Sequence, residues 1–353
     1  MIAVAPSTGP VVVFVGDSRA HTAFELYITN FSKQTVRLTE LNLSGGTYRK
    51  EIAGDALKAS FVPLAGTHKT DAPPVLISGQ AGIFFLFLDF DSLDSTPASI
   101  EAIVDAEIDG HPASLQRVAT VHFTIRRTPT VIDSPLTGGN WLAGNGPSNT
   151  SVHRRAVIVL DGRARVPERY AIDFVQLGAD GQTYSGEKHR NTSYHCYGLP
   201  IRAVADGRVV SVTDGITENV PNSGTLAPGL TIARLSGNDV VERIGPSTYA
   251  GYAHMIPGSL KVKPGDQVHA GQVLGLLGNS GNSTEPHLHF QLCDGPTFLE
   301  CEGLPQEFRR FTLENYKTTT NADGTGKLSI GGRSEVTDQG LLENELVSFP
   351  AAH

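Results

Sequence analysis

At 353 residues the chain has room for about two domains of roughly 150 residues each. Lysine plus arginine number 28 against 36 aspartate plus glutamate, giving a net charge of −8 and a pI near 5.8, which excludes the basic footprint of a nucleic-acid binder or of a protein held to an anionic membrane. Apolar residues make up 39 % and charged ones 18 %, a globular rather than disordered balance, and 38 glycines with 21 prolines favour many short strands joined by turns.

Early in the chain, the apolar run at 11–15 is too short for a secretory leader and has no basic flank, since the first basic residue is Arg19. Phe24, Leu26 and Ile28 alternate with Glu25, Tyr27 and Thr29, the period of a half-buried strand. Val36 and Leu38 continue the pattern, and Leu41 and Leu43 resume it one residue out of phase, as a β-bulge would require. The run at 83–88 is strand-sized and stops at Asp89, well short of a membrane span. Ala102, Val104, Ala106 and Ile108 form another alternating strand, Asp109-Gly110 signals a hairpin turn, and Val121, Phe123 and Ile125 return. Residues 1–127 therefore read as an immunoglobulin-like β-sandwich. His21, His68, His111 and His122 are scattered over it and form no catalytic constellation.

Residues 128–150, rich in Pro, Gly and Asn, read as a linker, with Trp141, the only tryptophan, as a staple onto a domain surface. Segments 156–160 and 164–174 flank Asp161-Gly162 and read as a long hairpin; further strands are expected at 201–212, 240–244, 248–254, 273–277 and 287–292. The polar segment 316–353 reads as a loose tail. Cys196, Cys293 and Cys301 lack any C-x-x-C spacing, so a disulfide framework is not expected, though a Cys293–Cys301 pair is compatible.

The chemistry concentrates late in the chain. His287 and His289 flank Leu288 after the Gly/Ser-rich run 278–283, and on a strand both imidazoles point to one face. Such a pair suits a metal site, one ring as ligand and the other acting on a bound water, although His-x-His by itself is a weak signal. Gly251-Tyr252-Ala253-His254-Met255 ends another strand, and Asp173 sits among apolar residues in Arg169-Tyr170-Ala171-Ile172-Asp173-Phe174. A carboxylate in that setting needs a partner, and a metal is one.

Taken in chain order, together with 203–210 and 262–275, these pieces resemble the lysostaphin/LytM-type zinc metallopeptidases that cut peptidoglycan cross-links, over about residues 150–312. The resemblance implies an all-β chain: an immunoglobulin-like sandwich, then a lysostaphin-type antiparallel β-sheet peptidase domain at 151–315. It implies Zn²⁺ as cofactor, a peptidoglycan peptide as substrate, Asp173 and His289 as metal ligands, and His254 and His287 as the groups that handle protons and steady the transition state. It also implies an extracytoplasmic location, so a leader is expected to be missing from this chain or already processed. No nucleic-acid partner and no membrane insertion are expected.

One position departs from the pattern. The family's first ligand, a histidine, lies four residues before the aspartate, and here that position is Arg169. A guanidinium has no lone pair for a metal. Either the domain is a degenerate binding or activator module, or another histidine substitutes. With Asp161-Gly162 as a two-residue loop, pairing places His153 opposite Tyr170, at the right distance but on the wrong face unless a bulge intervenes. His189 and His195, in the loop 178–197, are rivals. Arg169 and Tyr252 are expected on the substrate side of the groove. The retention of Asp173, His254, His287 and His289 together favours the hydrolase; a third reading gives the functional role to the N-terminal sandwich.

Overall fold

The computed structural model describes residues 2–7, 11–64, 74–109, 116–320 and 326–351, with the side chains of 116–118 left aside. His68, His111 and Gly110 of the expected hairpin turn lie outside the described residues. The chain divides into two compact units, Met1–Pro129 and Thr130–His353. Among the described residues no helix is long and apolar enough to cross a membrane.

The first unit is a β-sandwich. One sheet runs in the order Ile2–Pro6, Arg19–Asn30, Ala81–Phe90, Phe61–Pro63, and the other in the order Val11–Val12, Gln116–Arg126, Ser99–Ile108, Val36–Gly45, Tyr48–Ala53. The alternation expected from the sequence fills the space between them: Phe24, Leu26 and Ile28 from one sheet meet Leu41, Leu43, Ile100 and Val104 from the other. The phase change after Leu38 is a bulge. Asp105 pairs with Glu40 and Ala106 with Leu38, so Thr39 is the extra residue, and Val36, Leu38, Leu41 and Leu43 all remain buried. His21 is buried beside Asp17, and His122 faces Glu101.

The second unit is built on an eleven-stranded antiparallel sheet. Its order is Gln267–Val268, Gly207–Thr213, Asn238–Gly245, Thr248–Met255, Leu288–Cys293, Ile172–Gln176, Gly138–Gly144, Leu346–Phe349, Phe311–Thr320, Gly326–Val336, with Gly303–Leu304 beside Leu288–Cys293. Leu288, Phe290 and Leu292 turn one face of their strand into a core with Phe174, Tyr252, Phe308 and Phe349. The opposite face of the same strand carries His289, Gln291 and Cys293.

Two sequence expectations are corrected. The linker at 128–150 is part of the fold: Thr130–Ile132 pairs with Gln306–Phe308, and Gly138–Gly144 lies between Ile172–Gln176 and Leu346–Phe349. Trp141 is fully buried there, its indole N–H donating to the Thr137 carbonyl at 3.0 Å, so it packs the core rather than stapling a connector. The tail expected at 316–353 is strand instead. Phe311–Thr320 pairs with Gly326–Val336 and with Leu346–Phe349. Much of that hairpin is exposed on both faces, so burial imposes no apolar period on its sequence. The Cys293–Cys301 disulfide is formed, with a Cα–Cα distance of 5.7 Å.

Candidate active site

Asp173 and His289 are opposite each other in register on neighbouring strands, and their side chains meet at 3.1 Å. His287, just before the strand, also turns toward Asp173, with Nε2 3.3 Å from Oδ1. The alternation of side chains along the strand thus brings both rings to one carboxylate, as the His-x-His spacing predicts.

His153 completes the group by a route that hairpin pairing did not provide. The Asp161-Gly162 hairpin has the two-residue loop and the register expected, Leu160 with Arg163, but it ends at Ile158 and Arg165. His153 lies beyond it in a short 3₁₀ turn, His153–Arg155. Its Nδ1–H donates to the Asn145 carbonyl at 3.0 Å, which aims Nε2 at Asp173 Oδ2, 3.3 Å away. Asn145 also donates from its amide to Asp173 Oδ2 at 2.8 Å. Its φ of +49° is a conformation asparagine tolerates better than most residues. One turn residue therefore orients two of the three groups, and it was not singled out in the sequence because 128–150 read as linker.

His254 reaches the same cleft from Thr248–Met255. Register shifts between Asn238 and Val240, and His254 has a φ of +64°, a bulged end that turns its ring toward His287 and His289, with ring centroids 4.7 and 5.8 Å away. Its Nδ1–H donates to the Ser280 carbonyl at 2.7 Å, leaving Nε2 with a lone pair. The cleft holds about 380 Å³ and is bordered by Leu235, Asn282, Thr284, Phe298 and Leu299.

Charge in this group is organised by Asp173. Burial by itself raises its carboxyl, but the facing imidazoles of His287 and His153 hold it well below the usual carboxylate range. His289 is pushed down by burial and up by its hydrogen bond to Asp173, ending at about 9. For His287 the attraction of Asp173 likewise outweighs burial. His254, without such a partner, is driven well below the ordinary range by burial and by His287 and His289.

These contacts also test whether a metal fits. His153 Nδ1–H is taken by a carbonyl, and His289 Nε2 faces Gln291 Oε1 at 2.9 Å. The remaining nitrogens, His153 Nε2 and His289 Nδ1, both face the Asp173 carboxylate. Two neutral rings would thus point lone pairs at an anion, which calls for a cation among them, either protons or a metal. The three ligand atoms of His153, Asp173 and His289 lie within 4.8 Å of one another. A two-nitrogen, one-oxygen donor set with outer partners already in place is the kind that holds Zn²⁺.

Residues 187–298, which contain His254, His287 and His289, match Peptidase family M23. Over that segment the chain is similar to the M23 peptidases. Glycyl-glycine endopeptidase ALE-1 of Staphylococcus capitis is 40 % identical over 129 residues, 36 % of this chain and 31 % of that protein. Endolysin 2638A of Staphylococcus phage 2638A is 28 % identical over 176 residues, 44 % of this chain and 36 % of that protein. The chain spans about a third of the length of these relatives. Among solved structures, the catalytic domain of the prophage-encoded M23 protein EnpA from Enterococcus faecalis is 21 % identical, covering 48 % of this chain and 92 % of that one, with a TM-score of 0.29.

Four expected positions fall away from the cleft. Arg169 is buried and forms an ion pair with Glu302, Nη2 to Oε2 2.5 Å, while Nη1 donates to the Gly303 carbonyl at 3.0 Å. It serves the interior rather than substrate. His189 accepts its place through a hydrogen bond to the Pro221 carbonyl, and His195 packs against Gly178; neither joins the Asp173 group. Tyr252 is also interior: it is fully buried, its hydroxyl donating to Glu242 Oε2 at 2.7 Å and accepting from the Val204 N–H at 2.9 Å. Alternation along the strand explains this, since Tyr252 points to the core face opposite Gly251 and Ala253.

The Tyr252 partner yields a stability prediction. Burial pushes the Glu242 carboxyl up from 4.5 to about 7, and Asp239 in the same strand up to about 6. Folded protein then holds a proton that unfolded protein releases, so this contribution is complete below about pH 4.5 and is lost as pH rises through 7. Urea unfolding between pH 5 and 8 should show Glu242→Gln flattening that decline by on the order of 1–3 kcal/mol. An unchanged slope would contradict the assignment.

Proposed function

We propose that this chain is a zinc-dependent endopeptidase that hydrolyses peptide bonds of bacterial peptidoglycan, outside the cytoplasm. The observation that carries the reading is the convergence of His153 on Asp173 and His289, which would offer a third ligand although Arg169 occupies the usual position. A degenerate binding module has no physical need for that convergence, nor for two further histidines at the same cleft.

His153 Nε2, an Asp173 oxygen and His289 Nδ1 would hold the ion. When bound, the metal supplies Lewis acidity, polarising a scissile carbonyl and lowering the pKa of a coordinated water. His287 and His254 stand at the rim with Nδ1 fixed by the carbonyls of Glu285 and Ser280, so each presents Nε2 to the reacting groups. One accepts the water proton; the other stabilises the developing oxyanion or protonates the leaving amine, and the geometry permits either assignment. Because ALE-1 is a glycyl-glycine endopeptidase, glycyl cross-links are the first substrate to assay.

Plasma mass spectrometry of the purified chain should find about one zinc per molecule, lost in Asp173→Ala/His289→Ala. Release of peptide fragments from purified peptidoglycan should disappear in the same variant. Protein that takes up no zinc at neutral pH after reconstitution would overturn the hydrolase reading and leave a binding module.

A further inference from the structure

Gln291 lies two residues after His289 on the same strand face and is buried. Its Oε1 is 2.9 Å from His289 Nε2. Its Nε2 donates to the Phe298 carbonyl at 3.1 Å and lies 3.0 Å from the Cys293 sulfur. A carbonyl can only accept, so the amide nitrogen faces Phe298 and the amide oxygen must face His289. That orientation in turn requires the His289 proton on Nε2 and leaves Nδ1 to face Asp173.

Phe298 is itself held in place. It belongs to the segment closed by the Cys293–Cys301 disulfide, and its ring fills the space beside Gly251, where any Cβ would come within 2.8 Å of it. The Phe298 ring also borders the cleft, with its centroid 6.3 Å from that of His289. Disulfide, loop carbonyl, amide and imidazole thus form one continuous chain of contacts ending at a metal ligand.

We propose that Gln291 is a positioning residue that fixes the tautomer and orientation of His289 for metal binding, and that the disulfide-closed 293–301 loop fixes Gln291. This rests on the zinc reading above. Partners that orient a ligating histidine are typically worth about 10–100-fold in metal affinity.

The test is zinc affinity of the full chain by competition with a chelator, alongside long-range proton–nitrogen spectra of the histidine rings. Gln291→Met should bind zinc about 10–100-fold more weakly and lose the protected His289 Nε2–H signal. Gln291→Glu, which keeps an acceptor toward His289 but loses the donor to the Phe298 carbonyl, should recover the affinity in part. Cys293→Ser/Cys301→Ser, with Gln291 intact, should weaken zinc in the same direction, and it carries the test if Gln291→Met does not fold. Wild-type affinity and an unchanged ring signal in folded Gln291→Met would overturn the proposal while leaving the zinc reading intact. A wild-type chain that binds no zinc would overturn both.

Discussion

On the proposed zinc-peptidase reading, replacing His153 with alanine should abolish metal binding and lower peptide hydrolysis by at least about 100-fold, more than the usual loss of an orienting partner. The reason is geometric. Without its imidazole, only Asp173 and His289 remain of the three donors that lie together. The fold should survive, because Asp173 keeps His287, His289 and the Asn145 amide as partners, and the Asn145 carbonyl keeps the Ser151 hydroxyl. His189→Ala and His195→Ala, outside the cluster, should keep the metal. Zinc content and turnover measured on all three variants decide it: a His153→Ala protein that retains a full zinc would exclude His153 as the third ligand.

Arg169→His is expected to damage the protein rather than repair it. The change would place the family's usual residue at the usual spacing, but position 169 faces Glu302 and the Gly303 carbonyl rather than Asp173. The turn contacts from Arg169 N to the Val166 carbonyl and from Ala171 N to the Glu168 carbonyl keep that stretch out of the strand, which starts only at Ile172. Removing the guanidinium breaks the buried ion pair to Glu302, a loss of about 3–5 kcal/mol. The urea midpoint should fall accordingly, and His153→Ala/Arg169→His should remain without metal. Zinc restored in that double variant would show that position 169 can turn into the cleft.

Arg169 and His153 also mark the limit of reading by spacing. The family pattern locates a ligand at a fixed offset along one strand, and an offset carries no information about a residue supplied from another segment. The two-residue loop at Asp161-Gly162 was legible, and its register follows from it. The hairpin nevertheless stops before His153, and the face that His153 presents is set by a 3₁₀ turn and by Asn145. Asn145 was hidden for the same reason as Trp141. Glycine- and proline-rich sequence signals turns, and it does not reveal that a strand such as Gly138–Gly144 runs through the middle of a sheet. Gln291 could have been found, since it follows His289 at the strand period and so shares its face.

What the sequence determined by itself is local and periodic. Alternation specified the strands of the sandwich, the phase change specified the bulge at Thr39, and His-x-His placed two imidazoles on one face. The tertiary structure alone decided which distant groups meet there. His153, Asp173 and His289 are joined by strand register and by a turn whose hydrogen bonds reach back to Asn145. Side-chain period is a property of neighbouring residues, whereas a three-donor site is a property of segments that become neighbours only when the sheet closes over its core.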